Sequence, residues 1–262
     1  IGEEEKKAAI KVIESGCLSK FLGCWDPDFF GGPYVKKFED ACRKYFEVKH
    51  AITVNSWTSG LVCALGAIGL EPGDEVIVTP WTMCATATSI LHWNAIPVFA
   101  DIDRKTFNID PKSVSEKITK KTKAIMAADI FGQSCDVKNL KKIASDNNLL
   151  LITDSAQAPG SQSSLGITGT LSDIGGFSLN YHKHIHTGEG GIIVTNSDTF
   201  YKRACLIRNH AEAAVEGLKL DDISNMVGHN FRLGEIECAI GIEQLKKLDD
   251  ILKRRRFIAN KL

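Results

Sequence analysis

The chain has 262 residues, 44% hydrophobic and 24% charged, and its 32 basic and 32 acidic residues cancel. That is enough apolar sequence for one large core, and zero net charge argues against a nucleic-acid or polyanionic partner. No run of about 18 or more apolar residues occurs and the N-terminus has no signal-like apolar stretch, so the expectation is a cytoplasmic protein that does not span a membrane. Eight cysteines (Cys17, Cys24, Cys42, Cys63, Cys84, Cys135, Cys205 and Cys238) are scattered without a C-x-x-C pair. They read as buried thiols in a reducing compartment rather than as a zinc site or a disulfide framework.

In chain order, Glu3–Ser15 has helical spacing, with Ala8, Ile10, Val12 and Ile13 set among charges. Cys17–Pro33 is a loop rich in glycine and aromatics, a composition suited to binding or partner contact. Tyr34–Phe46 is helical again. Strands and helices then alternate. The strands are Ala51–Val54, Glu75–Val78, Pro97–Ala100, Ala124–Ala127 and Leu149–Thr153; the helices are Thr58–Ile68, Thr82–Trp93, Pro111–Ile118 and Val137–Asp146. The strands are continuous apolar runs, which predicts a mostly parallel sheet covered on both faces. Two more short strands, Gly175–Leu179 and Gly191–Val194, flank a polar loop. Asp198–Ile207, Leu233–Leu245 and Lys247–Lys261 read as helices, the basic run Lys253–Arg256 lying on a solvated face of the last.

Ligands of open α/β sheets bind at the carboxyl ends of the strands, so the loops there hold the candidates. Thr58 and Ser59 open a helix and offer hydroxyls and free N–H groups to a phosphate, or simply cap the helix. There is no Walker sequence and no G-x-G-x-x-G after a strand, which argues against those nucleotide motifs. Asp154 ends an apolar strand, at the floor of a pocket, where it needs a cation to stay ionised. A protonated pyridine nitrogen is one such cation. Lys183 lies in the polar loop between two apolar strands, where burial would lower its pKa and make a nucleophilic amine. A solvent-facing hairpin lysine is the plainer alternative. Lysine, aspartate and a hydroxyl-rich helix start together are what pyridoxal phosphate (PLP) requires. His182, His184 and His186 flank Lys183, but no carboxylate or cysteine completes a set and no metal is expected.

At these residues the chain resembles the PLP-dependent nucleotide-sugar aminotransferases of the DegT/StrS group. The resemblance runs through Glu71–Val78, Pro97–Asp103, Asp154–Ala158, Phe177-Ser178 to Gly188-Glu189-Gly190-Gly191, and Gly228–Leu233 followed by Glu235. It implies an α/β fold-type I PLP-transferase large domain, a mostly parallel mixed sheet with helices on both faces. The implied division is an N-terminal helix and loop (1–32), a PLP-binding domain (33–245) and the start of a helix leading to a small C-terminal domain (246–262), itself absent or truncated. Lys183 would be the Schiff-base lysine and proton-moving base. Asp154 would pair with the pyridine nitrogen and Gln157 contact the ring hydroxyl; Thr58, Ser59 and Ser178 would bind the phosphate. Asn230 would reach the phosphate of a neighbouring subunit, which implies a homodimer. Met83 stands where the family usually places an aromatic ring over the cofactor, with Trp81 two residues away as the other candidate. Asp129 replaces a residue that is often His, and Ala211 one that is commonly Gly. The implied reaction moves an amino group from an amino acid such as glutamate to a nucleotide-linked keto-sugar, for amino-sugar and polysaccharide biosynthesis. The alternatives are a PLP-dependent sugar dehydratase, in which a relative carries His in place of the lysine, and a non-catalytic regulatory relative or fragment.

Overall fold

The computed structural model describes residues 1–211, 215–220, 222–223 and 226–262. Two helices, α1 (Glu3–Glu14) and α2 (Pro33–Tyr45), come first. Then β1 (His50–Val54), α3 (Trp57–Ala67), β2 (Glu75–Val78), α4 (Cys84–Leu91), β3 (Ile96–Phe99), α5 (Pro111–Glu116), β4 (Thr122–Ala128), α6 (Val137–Asp146) and β5 (Leu150–Asp154) alternate. A small hairpin of β6 (Gln162–Ser163) and β7 (Gly166–Ile167) precedes β8 (Ile174–Ser178) and β9 (Gly191–Thr195). The helices α7 (Asp198–Arg208), α8 (Val215–Leu218), α9 (Glu235–Lys246) and α10 (Leu248–Ala259) follow. Among the described residues no helix is long and apolar enough to cross a membrane.

Seven strands form one sheet in the order β1-β9-β8-β5-β4-β2-β3. β9 is antiparallel to both of its neighbours, and every other pair is parallel. The two reversals cancel, so every strand but β9 runs the same way. β1, β8, β5 and β4 therefore deliver their carboxyl ends to one edge, where a ligand site is expected. Successive strand side chains point to opposite faces. Val76, Val78, Ile152 and Ile193 accordingly pack with α3 and α7, whereas Ile77 and Leu151 pack toward α6, and Ile192 and Val194 toward α2 and α9. Both faces are covered, which explains the continuous apolar runs. Helix α3 is buried almost all round, from Ser59 to Ala67. It wedges between the sheet and α7.

Three departures from the expected elements have local causes. Helix α4 starts at Cys84 rather than Thr82, because Met83 is extended (φ −62°, ψ 140°) and the Trp81 N–H donates to Thr79 Oγ1 at 3.1 Å. The loop after α1 contains a 3-10 turn, Pro27–Phe30, whose Asp26 carboxylate accepts from the Asp28 N–H at 2.8 Å. The β6–β7 hairpin has strands of two residues each, too short to leave an alternation in the sequence.

Helix α2 begins at Gly32 and Pro33 and has no side chain of its own to cap it. Glu235, 1% exposed, does this from the first turn of α9. Its Oε2 accepts from the Tyr34 N–H at 2.9 Å and its Oε1 from the Val35 N–H at 3.1 Å. Glu235→Ala is expected to lower unfolding free energy by about 2 kcal/mol, the cost of stranding buried helix-terminal donors. Urea denaturation measures it. Glu235→Gln, which keeps one acceptor oxygen, is expected to lose less.

Candidate active site

The carboxyl ends of β1, β4, β5 and β8 surround a cavity of about 210 Å³. Of the residues singled out in the sequence, Thr58, Met83, Asp154, Gln157, Ser178 and Lys183 line it, as does Asp129. Lysine and aspartate thus share one space.

Lys183 is placed by an ordered loop between β8 and β9. The Asn180 N–H donates to Ser178 Oγ at 3.2 Å, and the Lys183 N–H donates to the Asn180 carbonyl at 2.9 Å. Across the neck of the loop, Asn180 Nδ2 donates to both carboxylate oxygens of Glu189, at 2.8 and 2.9 Å. Ile185 is 2% exposed and anchors the far side of the loop in the core. Burial pulls the Lys183 amine below its ordinary pKa, opposed by the negative charge of Asp154. The antiparallel β8–β9 pair is a hairpin in connectivity, but its lysine faces the cavity rather than open solvent.

Asp154 is 6% exposed. Its Oδ1 accepts from Trp57 Nε1 at 2.7 Å and from the Ala156 N–H at 3.2 Å; its Oδ2 accepts from Thr86 Oγ1 at 2.7 Å. The start of α3 supplies another polar wall. Ser56 Oγ accepts from the Ser59 N–H at 3.1 Å, and the Ser59 hydroxyl turns back to Ser56 Oγ at 2.9 Å. Thr58 and Ser56 line the cavity and Ser59 does not. Gln157 Oε1 accepts from the Phe131 N–H at 2.7 Å, leaving its amide nitrogen as the remaining donor.

Met83 lines the cavity, whereas Trp81 packs toward Phe107 with ring centroids 6.2 Å apart. His182 lines the cavity; His184 and His186 lie behind it, against α9 and α10. Asn230 is exposed and outside the cavity, its Oδ1 accepting from Arg232 Nε at 2.8 Å. Ala211, where the resemblance suggests Gly, has φ +52°, a left-handed conformation that costs an alanine and suits a glycine.

Asp129 is a buried acid, 2% exposed, accepting from Ser155 Oγ at 2.5 Å and from the Cys135 N–H at 2.8 Å. Burial pushes its carboxyl up to about 6 from an ordinary 3.8; the Ser155 and Cys135 donors oppose the rise and the Asp154 charge adds to it. The folded pKa lies above the unfolded one, so the native state holds this proton more tightly. Its stabilising contribution is present below about pH 4 and lost as pH rises to about 6, a swing of about 3 kcal/mol. Asp129→Asn removes that dependence. In urea denaturation the variant should gain on the wild type by up to about 3 kcal/mol between about pH 4 and pH 7. A pH-independent difference would contradict the assignment.

Sequence reasoning missed Trp57 and Thr86 as partners of Asp154, and Asn180 and Glu189 as the clamp on the lysine loop. The Trp57 and Thr86 bonds cross 97 and 68 residues, so no local spacing announces them.

The sequence profile of the DegT/DnrJ/EryC1/StrS aminotransferase family matches residues 3–262. GDP-perosamine synthase of Vibrio cholerae is 37% identical over 255 residues, which are 97% of this chain and 66% of that protein. Among solved structures, Helicobacter pylori PseC, an aminotransferase involved in the biosynthesis of pseudoaminic acid, matches with a TM-score of 0.83 at 33% identity. That match covers 95% of this chain and 64% of PseC. A GDP-4-keto-6-deoxymannose-3-dehydratase with a trapped PLP-glutamate geminal diamine matches with a TM-score of 0.83 at 31% identity, covering 95% of this chain and 67% of that one. The chain spans about two thirds of the length of these relatives. The family match takes in the whole sheet, the lysine loop and the aspartate strand. This chain therefore has the fold-type I α/β architecture and belongs to the DegT/DnrJ/EryC1/StrS aminotransferase family.

Proposed function

We propose that this chain is the cofactor-binding part of a PLP-dependent aminotransferase that moves an amino group from an amino acid, glutamate being the expected donor, to a nucleotide-linked keto-sugar. The observation that carries the proposal is the cavity shared by Lys183 and Asp154. When bound, PLP supplies an aldehyde and an electron-withdrawing ring through which an amino group can be exchanged.

The residues present fit that group. Asp154 Oδ2 has one donor and keeps an acceptor position, and Asn180 Oδ1 is buried without a partner among the described residues. Lys183 is the attachment point. Its lowered pKa leaves more of the amine neutral near pH 8 than on a surface lysine, so Nζ can take up and return a proton. The Asp154 carboxylate holds the proton of the ring nitrogen by opposite charge. Thr58, Ser178 and the N-terminus of α3 form the phosphate end. Met83 is the cavity side chain available to pack on the ring, since Trp81 is turned to Phe107. Asn230, exposed and outside this cavity, serves the cavity of a second copy, which makes the working unit a homodimer. All eight cysteines are free, in keeping with a cytoplasmic enzyme.

The substrate class is supported by the relative named for GDP-perosamine synthesis. A second reading, dehydration of such a sugar, is favoured by the match to the 3-dehydratase. The Lys183 amine in the cavity weighs toward transamination, which needs a permanent amine to relay the proton. Incubation of the purified protein with PLP, glutamate and nucleotide-linked keto-deoxysugars tests this. An amino-sugar formed together with 2-oxoglutarate supports transamination, and a deoxygenated sugar without nitrogen supports dehydration. No product from a protein that binds PLP would leave the non-catalytic alternative.

A further inference from the structure

The indole of Trp57 is 5% exposed and sits where two glycines leave room for it. A β-carbon at Gly60 would lie 2.5 Å from Trp57 Cε3, and one at Gly176 would overlap the far edge of the same ring. The ring is therefore pinned between α3 and β8. From that seat Nε1 reaches Asp154 Oδ1 at 2.7 Å, and the Ala156 N–H reaches the same oxygen at 3.2 Å. Among the described residues, Oδ2 has only the Thr86 hydroxyl, at 2.7 Å. A carboxylate offers about four acceptor positions, two on each oxygen. Oδ1 is filled by the protein, and Oδ2 keeps one place.

We propose that Trp57 is a positioning residue for the cofactor site: its indole N–H and the Ala156 amide saturate Oδ1 of Asp154. The carboxylate is thereby fixed in one plane, and only Oδ2 is left to receive the ring N–H of the cofactor. The inference rests on the PLP reading of the cavity and adds to it which oxygen of Asp154 acts and what orients it. It also accounts for a large aromatic side chain at the start of α3 beside the phosphate-binding hydroxyls.

Trp57→Phe keeps a ring in the seat and removes the N–H. In the full chain, freed of cofactor and titrated with PLP by absorbance, the variant is expected to bind about tenfold more weakly, the scale of one charge-assisted hydrogen bond. The discriminating step is a double-mutant cycle. With Asp154→Asn already present, Trp57→Phe should change PLP affinity by less than about twofold, because the carboxylate it orients is gone. An equal loss in both backgrounds would mean that Trp57 only fills space, and no loss in either would also overturn the proposal. Should Trp57→Phe not fold, the indole N–H resonance of Trp57 in the otherwise native chain decides. It is expected to shift between the wild type and Asp154→Asn, and an unmoved signal overturns the proposal. Wild-type protein that takes up no PLP would remove the cofactor reading as well, whatever the variants do.

Discussion

Lys183→Ala is expected to lower turnover by at least about a thousandfold and to abolish covalent retention of PLP while the protein stays folded. A positioned general acid–base group contributes roughly 10² to 10⁴ in rate, and in the proposed reaction the same amine would also be the nucleophile. The fold should tolerate the change, because the loop is held by others. Asn180 is clamped to Glu189, Ser178 accepts from the Asn180 amide, and Ile185 is buried. Only the lysine stem loses contacts. Steady-state rates with the sugar substrate, paired with a urea melt of the same preparation, check both halves. A folded variant with near wild-type turnover would remove Lys183 from the chemistry.

Asp154→Asn is expected to lower kcat/KM by about 10² to 5 × 10³. Removing one partner of a buried ion pair costs about 3–5 kcal/mol, and in the proposed site the partner would be the protonated ring nitrogen. Asparagine has nearly the same shape and offers one acceptor oxygen and one amide donor. The oxygen can accept from Trp57 Nε1. The amide can face Thr86, whose hydroxyl also contacts Thr82 Oγ1 at 2.8 Å and can reverse its role. The apoprotein should therefore fold normally, and the lost activity should not return at any pH, since the amide does not titrate. Recovery at low or high pH would point to a different role for this position.

What was legible in the sequence and what was not divides along chain distance. The α/β pattern could be read because each strand is a local apolar run and its helix follows within a few residues. The shared position of Lys183 and Asp154 at one cavity could be anticipated because each ends or follows such a run, at the carboxyl-end edge of the sheet. The reversed direction of β9 was legible only through the hairpin alternative for the lysine loop, and its pairing with β1 through no local signal. That pairing becomes clear only when the strand is seen between β1 and β8. Trp57 reads locally as one more apolar residue at a helix start, and only tertiary folding brings its N–H to Asp154. Ser59 was a candidate by residue type and position, yet its hydroxyl turns to Ser56 rather than to the cavity. Hydroxyl direction is set by helix geometry, which composition does not encode. The excess stability cost at Asp129 is likewise invisible in sequence, because burial, not neighbours in the chain, moves its proton affinity.

Borohydride reduction of the PLP-loaded protein, followed by digestion and peptide mapping, addresses the chemistry at its centre. The expected result is a pyridoxyl group on the peptide containing Lys183 and on no other. A label on a different lysine, or protein that carries none after reduction, would contradict it.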